Sequence, residues 1–526
     1  MPDNTAAPIH TPEKPAATAT DAEVYAIYGA EPEVQAYAMA KYSRSSLSMK
    51  ESLKEISEQK AEKFLNTFYF QYGHRSIADL AHVALAIERL SILAAIAVVD
   101  EQRWDGQERS TRYQNFKKSG WHSPSFGGNS DVRERYRAAI ATLFAEYEST
   151  SQAVFEHLVQ RTHKPGEMSQ ESYDRTLRAR AFDAARYLLP LATNTSLGEI
   201  VNARTLETQI AHLLSSEYAE VRRIAELMKR AAREPAYNVS SEAVRSLLTE
   251  IGERDPGLHD RAERQLLKEV RVAPTLVKYA EANEYEIRTR QELRDAARQL
   301  MNGAPVDSAR AVDLLEDDPV EIELAATLLY EHCAYPYRQI RPRVDGLSEK
   351  EREEILQMGT RHRGKHDELL RAFSAGQRFR FDILMDIGGF RDMHRHRRCV
   401  QIGQDFTFAH GYDTPAEVVD AGTADRYSHA MDGARAIADQ IAGDLPASER
   451  KDLNYLIPLG YRKRTLFKMD FAEALYISEL RTGPAGHTSY RKVAYEMYRA
   501  VAQRHPSLAP YFRVTDVNEP IDLLKR

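Results

Sequence analysis

Two stretches of the chain echo one another: "RYLLPLATNTS" at 186–196 and "NYLIPLGYRKR" at 454–464. Each opens into a long helical pattern, "EIVNARTLETQIAHLL" in one case and "KMDFAEALYISELRTG" in the other. Ahead of each, an apolar segment runs into a polar, arginine-containing stretch: "LAAIAVVDEQRWDGQERSTRYQNF" and "DIGGFRDMHRHRRCVQIGQDFTF". One shared tetrapeptide would carry little weight, but three features in the same order mark a duplication. The chain is therefore expected to build two diverged copies of one domain, at 22–237 and 306–526. Residues 238–305 form a charged helical connector that includes the end of the first copy, and 1–21 read as a flexible Pro/Thr/Ala tail.

Helical periodicity dominates, as in "EYAEVRRIAELMKRAAREP", where apolar and charged positions alternate at three-to-four spacing. Strand-like segments are fewer; "FRFDILMDIG" at 379–388 alternates and then becomes continuously apolar. The fold class this implies is α+β, rich in helix, with a helical connector. A length of 526 residues suits two or three domains, and 43% hydrophobic with 29% charged residues suits a packed, water-soluble core. The net charge of −6 argues against bulk nucleic-acid binding, so any basic run must be a local device. Cys333 and Cys399 are too few for a disulfide framework and fit a reducing compartment. The tail lacks an apolar signal core, and "ILAAIAVV" at 92–99 is too short to cross a bilayer. The expectation is a cytoplasmic protein with no membrane and no nucleic-acid partner.

The charge is most concentrated in "RDMHRHRR", where four arginines and two histidines fill 391–398. In the second copy Arg395-His396-Arg397 is followed by seven residues and then Asp405; in the first, Asp100-Glu101-Gln102 is followed by seven residues and then Ser110, leading into "STRY". At this point the chain resembles the flavin-dependent thymidylate synthases (the ThyX family), whose signature is Arg-His-Arg, seven residues, then Ser, continuing as Ser-x-Arg-Tyr. Each copy keeps one half of it. "YGHRSIADLAHVALAIERLS" is similar to the family's Gly-His-x-Ser/Thr segment and places His74, Ser76 and Asp79; "YLLPL…VNAR" matches its Leu-Pro-Leu and Asn-Ala-Arg segments and gives Asn202 and Arg204. The second copy keeps an arginine after Leu-Pro-Leu (Arg464) and the Leu-Arg arginine (Arg481), where the first has Ser196 and a Leu/His pair.

The resemblance implies two ThyX-like domains, each a mixed sheet with flanking long helices. It implies FAD as cofactor, held by Arg395, His396 and Arg397 with His74, Ser76, Asn202 and Arg204. Guanidinium groups around an imidazole suit a pyrophosphate and a ring that becomes anionic when reduced. A solvated basic helix end is the plainer reading of the same residues. The resemblance assigns a nucleotide substrate to Glu108, Ser110, Arg112 and Tyr113, although "QERSTRY" also reads as an ordinary helix start capped by Ser110. Arg464 and Arg481 are the catalytic candidates, resembling arginines that reach the nucleotide from another copy. NADPH and methylenetetrahydrofolate are the implied co-substrates, dUMP or a related pyrimidine the acceptor, and a homodimer imitating the family's homotetramer the assembly. The complementary losses fit composite sites shared by the copies. Two alternatives stand beside this: a flavin- or nucleotide-binding protein that has lost turnover, and a one-carbon transferase with a changed acceptor.

No metal site is expected, since His394 and His396 diverge on a helix and no ligand set accompanies them. Arg361-His362-Arg363 is a decoy at the surface, while His366 falls where the Gly-His histidine would stand.

Overall fold

The computed structural model describes residues 29–40, 52–53, 75–364, 367 and 369–524. In the first copy β1 (His82–Ser91) leads through helix Ile92–Val99 to β2 (Asp105–Glu108). Helices Ser130–Arg161 and Gln170–Ala185 follow, then β3 (Asn194–Asn202) and helices Ala203–Leu214 and Ala219–Arg233. The second copy repeats the order. After β4 (Val312–Leu314) and three helices come β5 (Phe379–Asp386), helix Ile387–Met393, β6 (Val400–Gly403), helix Ala424–Asp444, β7 (Arg462–Met469) and helices Phe471–Thr482 and Thr488–Arg504.

The strand orders are β1-β3-β2 and β4-β5-β7-β6, so β1, β2 and β3 match β5, β6 and β7, and β4 is an added edge. The α+β class holds, but the expected mixed sheet is corrected. Each pairing is antiparallel. A short helix carries β1 to β2 in the same direction, as a crossover does, yet β3 inserts between them and removes the parallel contact.

Matching side chains start the matching helices. Ser91 and Asp386 each cap the helix that leaves β1 or β5, accepting from Ala94 N and Gly389 N. Asn202 and Asp470 do the same after β3 and β7, accepting from Thr205 N at 2.8 Å and Glu473 N at 2.9 Å. The caps leave both strand exits sharply turned, and those exits carry the polar stretches of the duplicated motif.

The copies are joined through their Leu-Pro-Leu segments, which pair antiparallel with Pro190 opposite Pro458. Leu191 N donates to Ile457 O and Leu459 N to Leu189 O, both at 2.9 Å; Ala192 N donates to Tyr455 O and Gly460 N to Tyr187 O, again at 2.9 Å. Since equivalent residues exchange equivalent bonds, a local two-fold axis passes between the prolines. Leu189, Leu191, Ile457 and Leu459 are fully buried there, and one apolar core runs through both copies. The helices after β1 and β5 hang from the same segments: Leu93 N donates to Leu191 O and Gly388 N to Leu459 O. A second core, with Leu293, Ile322, Leu328, Ile402 and Leu466, lies between β6–β7 and the helices Glu284–Leu300 and Val320–Tyr330. Connector helices Ser241–Gly252 and Pro256–Leu266 pack on each other, and between them bury only Leu248. Among the described residues no helix is long and apolar enough to cross a membrane.

Glu199 on β3 is buried in the first copy, where it accepts from Gln209 Nε2 at 3.2 Å while its Oε1 has no partner. Burial pushes its carboxyl up from 4.5 to about 7, against the Gln209 hydrogen bond. The folded chain therefore binds more protons than the unfolded one between those values, and stability must fall as pH rises through that window. Glu199→Gln should be neutral near pH 4 and stabilising by roughly 3 kcal/mol at pH 8. Urea unfolding at the two pH values checks this, and an unchanged difference would refute it.

A composite arginine site at the joint of the copies

Because the helix Ile387–Met393 is hung from the joint, its far end and the turn 394–398 are delivered against the first copy. Asp100 receives them, with Oδ1 lying 2.9 Å from His394 Nε2 and 3.1 Å from Arg371 Nη1. Burial alone would raise the Asp100 carboxyl, but Arg371 and His394 outweigh it and hold it far below the usual range. Gln102 Nε2 donates to Cys399 O at 3.2 Å. Arg397 pairs with Asp105 at 2.8 Å and lies over the Trp104 ring; Arg391 pairs with Glu108, and Arg395 Nη2 stands 4.0 Å from the other oxygen of Glu108. The Arg-His-Arg turn of one copy thus packs against the equivalent turn of the other and along β2. That turn lies along the strand that leads into the first copy's half of the split signature.

Arg112 closes the other wall. Its Nε donates to Asp183 at 3.1 Å, its Nη1 to Tyr490 Oη at 2.9 Å and its Nη2 to Ala485 O at 3.0 Å, the last two across the copies. Burial works against its charge, yet Asp183 prevails and raises the pKa further. Ser110 Oγ accepts from Arg112 N at 3.2 Å, and the half-exposed Tyr113 ring lies beside the guanidinium. Asp183 also faces Arg186 at 3.3 Å and His487 at 4.0 Å. Burial, helped by Arg186 and Arg112 and opposed by Asp183, pushes His487 down to about 4.

His396 is buried, and burial holds it below the usual imidazole value despite Glu473 at 3.5 Å. Arg481 Nε donates to its Nε2 at 2.8 Å, so Nε2 carries the lone pair and Nδ1 the proton, directed at Glu473. Arg481 also lies over the Tyr490 ring, as Arg112 does, so Tyr490 links the Arg481–His396 pair to Arg112. Cys399 is buried beside them with its thiol pushed up to about 12, mainly by burial, and is inert.

Other sequence-predicted residues lie elsewhere. Arg464 is buried on β7 and bonds Asp382 at 3.2 Å and Asp307 O at 2.8 Å. Asn202 is a helix cap, and Arg204 faces Asp79 at 3.3 Å. Ser76 falls in the short 3₁₀ helix Arg75–Leu80; His74 and His366 lie outside the described residues. Arg361 and His362 of the second Arg-His-Arg both pair with Glu292 on the connector helix, away from the joint.

The two-fold relates this cluster to a second position with different chemistry. There Asp100 stands for Arg395, Gly403 for Glu108, Asp405 for Ser110, Thr407 for Arg112 and Lys451 for Asp183. Lys451 bonds Glu217 and reaches Asp405 at 3.4 Å, and Arg294 from the connector grips both oxygens of Glu217 at 2.8 Å. That position is closed by the chain's own charges.

The profile of the family described as thymidylate synthase complementing protein matches residues 26–236 and 310–507, once over each copy. The chain belongs to this family. A flavin-dependent thymidylate synthase of Clostridium tetani is 25% identical over 214 residues, which span 40% of this chain and 82% of that protein. Relatives of full length share both copies' extent: a UPF0159 protein of Chlamydia muridarum is 26% identical over 95% of this chain and 94% of its own. A UPF0159 protein of Thermoplasma acidophilum is 24% identical over 91% and 95%. In this tandem family member, sequence reasoning passed over Thr111, Asp183, Arg186, Arg391, Asp392, His487 and Tyr490. Thr111, Arg186, Arg391 and Asp392 lie inside the quoted motifs, so aligning the copies could have raised them; nothing in the sequence marks Asp183.

Arg112→Ala should destabilise the chain by about 2–3 kcal/mol, less than the loss of a solitary buried partner because Arg186 still faces Asp183. Tyr490→Phe should add little on that background, since the two changes remove one contact across the copies. Full additivity in denaturant unfolding of the single and double variants would show that the contact is not made.

Proposed function

We propose that the chain is a flavin-dependent thymidylate synthase-like enzyme that transfers a one-carbon unit reductively to C5 of dUMP or a related pyrimidine. Methylenetetrahydrofolate is the donor and NADPH the reductant. The observation that carries this reading is the packing of the Arg-His-Arg turn of one copy along β2 of the other, with Arg395 near Glu108, Arg481 hydrogen-bonded to His396, and Tyr490 beside both Arg481 and Arg112.

The residues present fit a flavin dinucleotide. Arg395 and Arg397 are each more than a third exposed and keep unshared donors for a pyrophosphate, while the buried His396 is fixed in one tautomer by Arg481 and Glu473. When bound, the flavin supplies the hydride that reduces the transferred carbon. The chain's own part is to orient and to polarise. Arg481 sits where a positive charge can favour electron density on the pyrimidine ring, the buried arginines act in a low-dielectric site, and the copies' walls hold donor and acceptor at fixed separation. No protein nucleophile is required of these residues. On this reading a homodimer reproduces the four-copy assembly that the family resemblance implies, and Arg464 serves its own core and not this site.

The closed counterpart position favours a second reading in part: one chain holds one site, not two. Purified protein should be yellow, with one flavin per chain, and Arg395→Ala/Arg397→Ala should be folded and colourless, since each lost charge-assisted bond is worth about 1.5–3 kcal/mol. Flavin absorbance after desalting measures both. Full occupancy in the double variant would sink the assignment. NADPH oxidation that requires dUMP and methylenetetrahydrofolate separates an enzyme from a binding protein that has lost turnover.

A further inference from the structure

Arg481 stands in the last turn of helix Phe471–Thr482, where an α-helix has no further turn of its own to hold it. Beyond it the chain bends through Gly483, Pro484 and Gly486, and Tyr476 and Leu480 leave one side of the helix half exposed. An end of this kind frays unless something ties it down.

The tie is the C-terminal stretch of the chain. After the short 3₁₀ helix Pro506–Tyr511, residues 512–524 form neither helix nor strand. Phe512 is buried against Phe471 and Tyr498, with ring centroids 5.6 and 5.2 Å away. Arg513 N then donates to Glu479 Oε1 at 2.9 Å and Thr515 N to Thr482 Oγ1 at 3.1 Å, so the two acceptors bracket Arg481. Thr482 is fully buried and is held a second time by Arg491 Nε, which donates to its carbonyl at 2.9 Å. Farther on, Leu523 and Leu524 pack on the core shared by the copies, and Leu523 O accepts from Arg180 Nε at 3.4 Å. Arg180 belongs to helix Gln170–Ala185 of the first copy, one turn before Asp183. A chain end without regular structure stays in place only where it is tied, and the ties here fall on both walls of the arginine site.

We propose that residues 512–524 are a positioning strap, which holds Arg481 against His396 and ties the helix that carries Arg481 to the first copy's wall. The strap lies beyond the residues that the family profile matches. It deepens the functional reading above and rests on it only for what Arg481 does. Its effect is readable on His396. Arg481 donates to Nε2, so the neutral ring is the form that keeps the bond. Burial first, and the Arg481 guanidinium after it, oppose protonation of that ring, while Glu473 and Asp392 favour it; the Tyr476 ring edge carries no charge. If Arg481 withdraws, the imidazole becomes easier to protonate.

Full-length protein as purified, with its histidines labelled with nitrogen-15, is titrated by NMR, and His396 is identified by the signal lost in His396→Gln. In Glu479→Ala/Thr482→Val, which removes both acceptors, the His396 pKa should rise by at least about half a pH unit. Leu523→Ala/Leu524→Ala, which loosens the far end and alters no group in contact with His396, should move it in the same direction. Glu479→Gln/Thr482→Ser keeps both acceptors and should leave it where it is. An unmoved His396 in either of the first two variants would overturn the strap, as would an equal rise in the conservative one. A lower unfolding midpoint with His396 unmoved is such a failure, since it marks a fastener with no hold on Arg481. Because the titration needs no flavin, a protein that carries none would defeat the functional reading and leave the strap to stand or fall on His396.

Discussion

Four backbone hydrogen bonds across Pro190 and Pro458 are the constraint on which the rest depends. They are exchanged between identical positions of two copies, so they define the two-fold axis and leave no freedom of register. A strand pair slipped by one residue would turn its side chains to the other face. Here it would also carry helix Ile387–Met393 away, because that helix takes its first hydrogen bonds from Tyr461 and Leu459 of the same segment. The polar groups of the site are therefore placed by an apolar joint whose leucines and isoleucine are fully buried.

Fusion changes what a two-fold interface can contain. In a symmetric dimer, residues near the axis face their own kind, and two Arg-His-Arg turns in contact would set like charges together. In this chain the turn that meets Arg-His-Arg reads Asp100-Glu101-Gln102, and Asp100 binds His394 and Arg371 while Gln102 holds the backbone at Cys399. The loss in one copy has become the support of the other. The opposite position followed the complementary course: Lys451, Glu217 and Arg294 satisfy one another there. Two copies that diverge in this way give one chemically rich cluster and one closed one, which random erosion of both copies would not produce.

The duplication, the α+β class and the strand exits were legible in the sequence because they depend on local pattern, and patterns recur visibly when a segment is repeated. That every strand pairing is antiparallel was not legible. Strand direction follows from the connections, but which strand lies between two others is decided by packing, and β3 takes the middle. At the cluster, Arg395, His396, Arg481, Ser110 and Arg112 stand out by motif, whereas Asp183, which faces two of the cluster's arginines and His487, sits in an unremarkable helix. Two of those three partners, Arg112 and His487, lie 71 residues away and further, which no local spacing encodes. Arg464 shows the reverse case. Its position in the motif suggests a ligand contact, but Asp382 on the neighbouring strand and Asp307 take its donors within the core.

The site and the joint are one structure. Arg112 reaches Tyr490 and Ala485 across the copies, Arg391 reaches Glu108 and Thr111, and Arg397 reaches Asp105, so every wall of the cluster is built from both halves. Whatever binds there binds the assembled pair and not either copy alone, and by mass action it must add its binding free energy to the cohesion of the joint. The reverse also holds. A weakened joint spreads the arginines, because the guanidinium groups lose partners that belong to the other half. Divergence could proceed freely in the outer helices and connector but not at the Leu-Pro-Leu segments, where a shift of one copy would misplace both walls of the site.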